Sequence, residues 1–202
     1  MTDLYKDQQK SEDAVECFGI KFPSNAARRS HFRLLLKEML ANPELRQVDG
    51  FPSATDEAIL SMSDPPYYTA CPNPFLGQFI QYCGKPYDSS LKYSREPLTV
   101  DVSVGKTDAL YKAHAYHTKV PHLAIVPSIL HYTEPGDIIL DGFAGSGMTG
   151  VAAQWCGSAP AAYRHELEME RKGQGKVPPT WGARRVILND LAPAATFIAS
   201  NF

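Results

Sequence analysis

At 202 residues, with 44% hydrophobic and 21% charged side chains, the sequence has the size and balance expected of one globular domain with a real core. No apolar run approaches the ~20 residues of a membrane helix, and the polar start MTDLYKDQQKSED lacks a signal-peptide stretch, so a cytoplasmic protein with no membrane partner is expected. A formal net charge of −2 announces no nucleic-acid surface, and four scattered cysteines (Cys17, Cys71, Cys83, Cys156) without a Cys-x-x-Cys pair argue against zinc and give no reason for disulfides.

Residues 1–12 are expected to be mobile. Ser24 is placed to cap a helix from about Asn25 to Leu40, with Phe32, Leu35, Leu36, Met39 and Leu40 as its apolar stripe, and Asn42-Pro43 stops or breaks it. Arg28, Arg29 and Arg33, or Lys106, Lys112 and Lys119, are local candidates for contacting phosphate, each cluster equally readable as solvated charge. The short apolar run Ala58 to Met62 reads as a buried strand delivering Ser63-Asp64-Pro65-Pro66-Tyr67-Tyr68 into a loop, although so few residues also suit a helix. Leu98, Val100, Val102 and Val104 alternate with polar residues, which is strand periodicity ended by Gly105.

Ala124 to His131 reads as a helix, followed by a turn at Glu134-Pro135-Gly136-Asp137. Ile138 to Asp141 is a strand closed by an acid, residues 142–147 a tight glycine loop, and Met148 to Cys156 a helix. Residues 157–183 read as an insertion or long loop. Arg185 to Asp190 is a second acid-closed strand, and a helix from about Pro193 begins the next crossover. Strand, loop, helix and strand in this order predict an α/β fold with a parallel sheet and right-handed connections, its plan interrupted at Phe202.

Two segments carry chemistry. In Asp141-Gly142-Phe143-Ala144-Gly145-Ser146-Gly147, the glycines permit a tight turn and leave room for a ligand against the backbone, and the following helix N-terminus offers free N–H groups. Asp190 stands where an acid binds ribose hydroxyls in nucleotide-binding sheets, later in the chain than the usual spacing unless residues 157–183 account for the excess. In Asp64-Pro65-Pro66-Tyr67, the Asp64 carboxylate and the Pro65 carbonyl are neighbouring hydrogen-bond acceptors, paired prolines stiffen the loop that holds them, and Tyr67 adds an aromatic face. Asn73-Pro74-Phe75 is a candidate wall of the same site. The bland readings are a structural glycine turn and a proline turn.

These segments resemble the Asp-x-Phe-x-Gly-x-Gly and Asp-Pro-Pro-Tyr motifs of the amino-directed (N6-adenine/N4-cytosine) DNA methyltransferase family. His117-Thr118-Lys119-Val120-Pro121 more loosely resembles the family's Thr-x-Lys-Pro segment, with Val120 interrupting it. Tetrapeptide first, this segment next and glycine loop last is similar to the family's β group, which includes many restriction-modification enzymes. The resemblance covers roughly residues 55–202. It implies a Rossmann-like S-adenosylmethionine-dependent methyltransferase fold, incomplete in this chain, over residues 51–202, with residues 1–50 a helical extension. It also implies catalytic roles for Asp64, Pro65, Pro66 and Tyr67. Cofactor binding would fall to Thr118, Lys119, Asp141, Phe143, Gly145, Gly147 and Asp190.

DNA and S-adenosyl-L-methionine are the implied partners, and N6 of adenine the implied target, since the family's cytosine enzymes more often carry Ser at the first motif position. N4-cytosine methylation, glutamine-amide methylation and a non-catalytic cofactor- or DNA-binding module are the alternatives. Only 48 residues separate Tyr68 from His117, too few for a target-recognition domain, which is expected beyond Phe202 or in a partner subunit. His114, His117 and His122 lack a neighbouring carboxylate or cysteine, so no metal site is expected, and Cys71 reads as a packed thiol. The reading requires the Asp64 and Gly145 loops to face one substrate.

Overall fold

The computed structural model describes residues 14–86 and 88–202; the mobility expected of residues 1–12 lies outside these. The chain divides into two units, Met1–Tyr82 and Cys83–Phe202.

In the first unit, β1 (Val15–Cys17) and β2 (Ile20–Phe22) form an antiparallel hairpin in which Cys17 pairs with Ile20. Its turn residues Phe18 and Gly19 have φ of 52° and 79°, the doubly positive pattern that matches strand twist. Phe18 is held there by edge-on contact with Phe32, ring centroids 5.8 Å apart. α1 (Asn25–Leu40) has its predicted bounds because Ser24 Oγ accepts from the Ala27 N–H at 3.1 Å. Its buried face is Arg28, Phe32, Leu36 and Leu40, one residue per turn; Met39, expected in the stripe, is exposed.

α2 (Pro43–Arg46) restarts the helix at the expected break, capped by Asn42. α3 (Asp56–Ser61) corrects the strand expected at 58–62. Thr55 Oγ1 accepts from the Ala58 N–H, and Asp56 and Glu57 place negative charge in the first turn, where the helix dipole favours it. α4 (Leu76–Cys83) follows. Cys17, Phe22, Phe32, Leu36, Leu40, Ile59 and Phe75 form the core, so residues on both sides of position 50 share one interior.

In the second unit, residues 98–104 form no strand, against expectation. Asp101 accepts from the Ser103 N–H at 2.8 Å and turns the chain, leaving Val102 and Val104 exposed. α5 (Ala109–Lys112) is capped by Asp108, and α6 (His122–Tyr132) contains Pro127. Proline has no N–H for the Leu123 carbonyl one turn back; the Tyr163 hydroxyl donates to that carbonyl instead, at 3.4 Å.

β3 (Ile138–Asp141) leads into α7 (Met148–Ser158) and α8 (Ala161–Gly173), and then β4 (Arg185–Leu188) and α9 (Pro193–Ala199). α8 occupies the region expected to be a long loop. Its sequence is polar, but Leu167 and Arg171, one turn apart, are buried, and Trp181 Nε1 donates to Glu168 at 2.7 Å. β3 and β4 pair in parallel from Ile138 with Arg185 to Asp141 with Leu188. A parallel pair joined through helices is consistent with a methyltransferase-type α/β fold. Among the described residues this sheet has these two strands, short of a full Rossmann-like order.

Val126, Ile129, Leu130, Ala152, Ala153, Cys156 and Leu167 make the second core. Arg184 fastens the start of β4 to the end of α6, donating through Nη2 to the Thr133 carbonyl at 2.8 Å and through Nε to Thr133 Oγ1 at 3.1 Å. Among the described residues, no helix is long and apolar enough to cross a membrane.

Candidate functional site

The Asp64 tetrapeptide lies in the first unit, immediately after α3. Its backbone closes on itself: the Asp64 N–H donates to the Tyr68 carbonyl at 2.9 Å, and the Tyr67 and Tyr68 N–H groups donate back to the Asp64 carbonyl. Pro65 and Pro66, joined by a cis peptide bond, are buried. Asn73 Nδ2 donates to the Pro66 carbonyl at 2.9 Å, and Asn73 Oδ1 accepts from the Phe75 N–H, so this asparagine ties the loop to the chain entering the core at Phe75. Ser63 adds a second tie, its hydroxyl donating to the Ile59 carbonyl and accepting from the Ala70 N–H.

Both expected acceptors of the loop are engaged by arginine. Arg28 Nη1 donates to the Pro65 carbonyl at 2.7 Å and Nη2 to Asp64 Oδ1 at 2.9 Å, while Arg28 Nε donates to Asn25 Oδ1 at 2.7 Å. The guanidinium carbon lies 4.6 Å from the centroid of the Tyr67 ring. Arg29 reaches the same carboxylate, Nε to Oδ1 at 3.0 Å and Nη2 to Oδ2 at 3.3 Å. This corrects the reading of Arg28 as a surface cation for phosphate, since it is 2% exposed and paired with Asp64. Arg29 shares that single carboxylate and stays half exposed, so one positive charge remains over the three groups. Tyr67 itself is exposed, and desolvation together with its contact to Cys17 pushes its hydroxyl pKa up to about 12.

The glycine loop lies in the second unit, between β3 and α7. Asp141 shapes it from one end, Oδ1 accepting from the Phe143 N–H at 3.1 Å and Oδ2 from Thr149 Oγ1 at 2.6 Å. Asp190 holds the middle, its Oδ2 accepting from the Gly145 N–H at 2.8 Å and its Oδ1 from the Ala192 N–H at 2.9 Å.

Gly145 and Gly147 have φ of 53° and 83°. In the direction of their missing side chains both glycines approach protein closely. A Cβ on Gly145 would stand 3.2 Å from the Tyr116 ring, and one on Gly147 2.8 Å from Ala199 Cβ. Ser146 Oγ is buried without a hydrogen-bond partner among the described residues, and the Phe143 ring is 88% exposed.

Of the looser segment, Thr118 is exposed and Lys119 is already engaged. Lys119 Nζ donates to the His114 carbonyl and sits 4.6 Å from the centroid of the Tyr111 ring. His122 is fully buried, and burial lowers its pKa against a weaker opposing pull from Asp108. Burial pushes the Cys71 thiol up from its ordinary value. The residue that sequence reasoning placed in the wrong class is Arg28. Its only local signal is its position one turn before Phe32 on the buried stripe, where an arginine requires a partner.

A family model described as DNA methylase matches residues 54–159, just over half of the 202-residue chain. The match takes in the tetrapeptide, Thr118, Lys119 and the glycine loop, and leaves out Arg28 and Asp190. No curated protein and no solved structure matches the chain.

Proposed function

The chain belongs to the DNA methylase family, and on that premise we propose that it transfers a methyl group from S-adenosylmethionine to N6 of adenine in DNA. The observation that carries the reading is the convergence of Asp64 Oδ1 and the Pro65 carbonyl on one planar N–H donor group lying over Tyr67. An adenine presents the same features, an aromatic plane and an amine with two N–H bonds. Accepting both, the loop draws the nitrogen towards tetrahedral geometry and localises its lone pair for attack. Tyr67 supplies the stacking face for the extruded base. The buried prolines, Ser63 and Asn73 fix the acceptors beforehand, so little reorganisation is left for the moment of reaction.

Asp141, Phe143, Gly145, Gly147 and Asp190 would hold the cofactor, with Thr118 and Lys119 at its carboxylate end. The fit rests on an orphaned buried hydroxyl at Ser146, an uncovered ring at Phe143 and spare acceptor capacity on Asp190, each of whose oxygens has a second lone pair for a ribose hydroxyl. When bound, S-adenosylmethionine supplies the electrophilic methyl carbon. Asp64 in the first motif position favours adenine over cytosine, and recognition of a DNA sequence is assigned to a further domain or subunit.

The test is incubation of the full chain with radiolabelled cofactor and mixed DNA, followed by nucleoside analysis. Label in N6-methyladenine supports the reading, and label in N4-methylcytosine replaces it with its nearest rival. Asp64→Ala abolishes transfer and leaves cofactor binding measurable, whereas Gly145→Trp removes cofactor binding. Equal loss of cofactor affinity in both variants contradicts this division of roles.

A further inference from the structure

We propose that Arg28 occupies the place of the target base on the tetrapeptide loop, so that a base enters only by displacing its guanidinium. The proposal rests on the reading of Asp64 and Pro65 as the amine's acceptors, and adds a residue outside the stretch matched by the family model.

A guanidinium is a flat π-system with N–H donors along its edge, and here each recognition element of the loop is spent on it. Its two terminal nitrogens satisfy the Pro65 carbonyl and Asp64 Oδ1, at 2.7 and 2.9 Å, and its central carbon lies over the Tyr67 ring, 4.6 Å from the centroid. The donors sit on adjacent nitrogens, where an adenine carries both on one, so the fit is that of a surrogate. Asn25 Oδ1, from the first turn of the same helix, orients the group by accepting from Nε.

An alternative use of such an arginine is permanent bracing of the loop. That task is already met by the Asp64–Tyr68 backbone pairing, Ser63 and Asn73, none of which involves Arg28. Arg29, half exposed, also reaches Asp64, so the carboxylate keeps a cationic partner when Arg28 leaves. The engaged arginine lowers the population of loops able to accept a base, and apparent affinity falls by that fraction.

The experiment measures adenosine and cytidine affinity by ligand-observed NMR on the full chain, wild type and Arg28→Met, a variant that keeps an apolar stem and loses every donor. With the arginine engaged at least nine-tenths of the time, the variant binds adenosine about tenfold or more tightly. Millimolar guanidinium chloride restores the weaker binding in Arg28→Met and leaves the wild type unchanged. A merely bracing arginine predicts no such competition. Unchanged, weaker or undetectable adenosine binding in a folded Arg28→Met protein overturns the proposal.

Phenylglyoxal modification of the wild type, mapped on peptides, gives a readout that needs no variant. Adenosine accelerates modification of Arg28 and not of Arg33; protection or an unchanged rate at Arg28 overturns the displacement. Methyl transfer by wild type without the affinity gain keeps the functional reading and ends this one. The affinity gain without methyl transfer does the reverse.

Discussion

Substitution of Gly147 by alanine separates two purposes a glycine can serve in this loop, approach of a ligand and approach of α9. The residue has φ of 83°, and an added Cβ would meet Ala199 Cβ at 2.8 Å and Ala199 Cα at 3.1 Å. The left-handed backbone costs an alanine about 1–2 kcal/mol. Forcing a methyl against helix backbone costs about 1–3 kcal/mol more. The expected loss of roughly 2–5 kcal/mol falls on the second unit, and at about 3 °C per kcal/mol lowers its melting temperature by roughly 6–15 °C. Trp155 and Trp181, the chain's two tryptophans, both lie in that unit, so intrinsic fluorescence follows it selectively. Adding Ala199→Gly returns part of the packing share and none of the backbone share, giving a coupling of about 1 kcal/mol in a double-mutant cycle. Zero coupling, or unchanged melting, would refute the assignment of this glycine to the approach of α9.

Two further outcomes follow from one buried and one half-buried polar group of the same unit. Burial holds the His122 pKa below its unfolded value near 6.5, so the neutral ring contributes stability that is present above that pH and lost as pH falls below it. His122→Leu therefore flattens the decline of melting temperature between neutral pH and pH 5, and an unchanged decline assigns the effect elsewhere. Tyr163→Phe strips the hydroxyl from the Leu123 carbonyl that Pro127 cannot serve, and at 3.4 Å that contact is worth only about 0.5 kcal/mol in denaturant titrations. The same variant removes a phenolate absorbance step at about 12, where burial and the neighbouring Cys156, Glu166 and Glu170 have pushed the hydroxyl.

What the sequence made legible was whatever is decided within a few residues. The Ser24 cap bounded α1, and the acid-closed runs at 138–141 and 185–190 with the intervening glycine loop gave β3, α7 and β4, the last ending at Leu188, two residues before its acid. The strand expected at 58–62 overlooked a local signal, Thr55 with Asp56 and Glu57, because an apolar run of that length has no period of its own. At 98–104 the alternation was real, but a strand needs a neighbouring edge, and no local pattern supplies one. α8 was hidden by its charge, since Leu167 and Arg171 alone mark its buried side.

The candidate site divides along the same line. Asp64, Pro65 and the glycine loop are recognisable as types in a local order, but the hydrogen bonds that define their present state join residues far apart in the chain. Asp190 reaches back 45 residues to the Gly145 N–H, and Arg28 forward 36 residues to Asp64. A basic triplet on a helix reads as a phosphate contact only while its partners are unknown. Once Arg28 is placed on the buried stripe of α1, an uncompensated guanidinium is excluded by its desolvation cost, and a carboxylate must come to meet it. That the carboxylate is Asp64, with the Pro65 carbonyl beside it and the Tyr67 ring beneath, turns a structural necessity into competition with substrate. The groups that neutralise a buried arginine most completely are the ones assigned to an adenine.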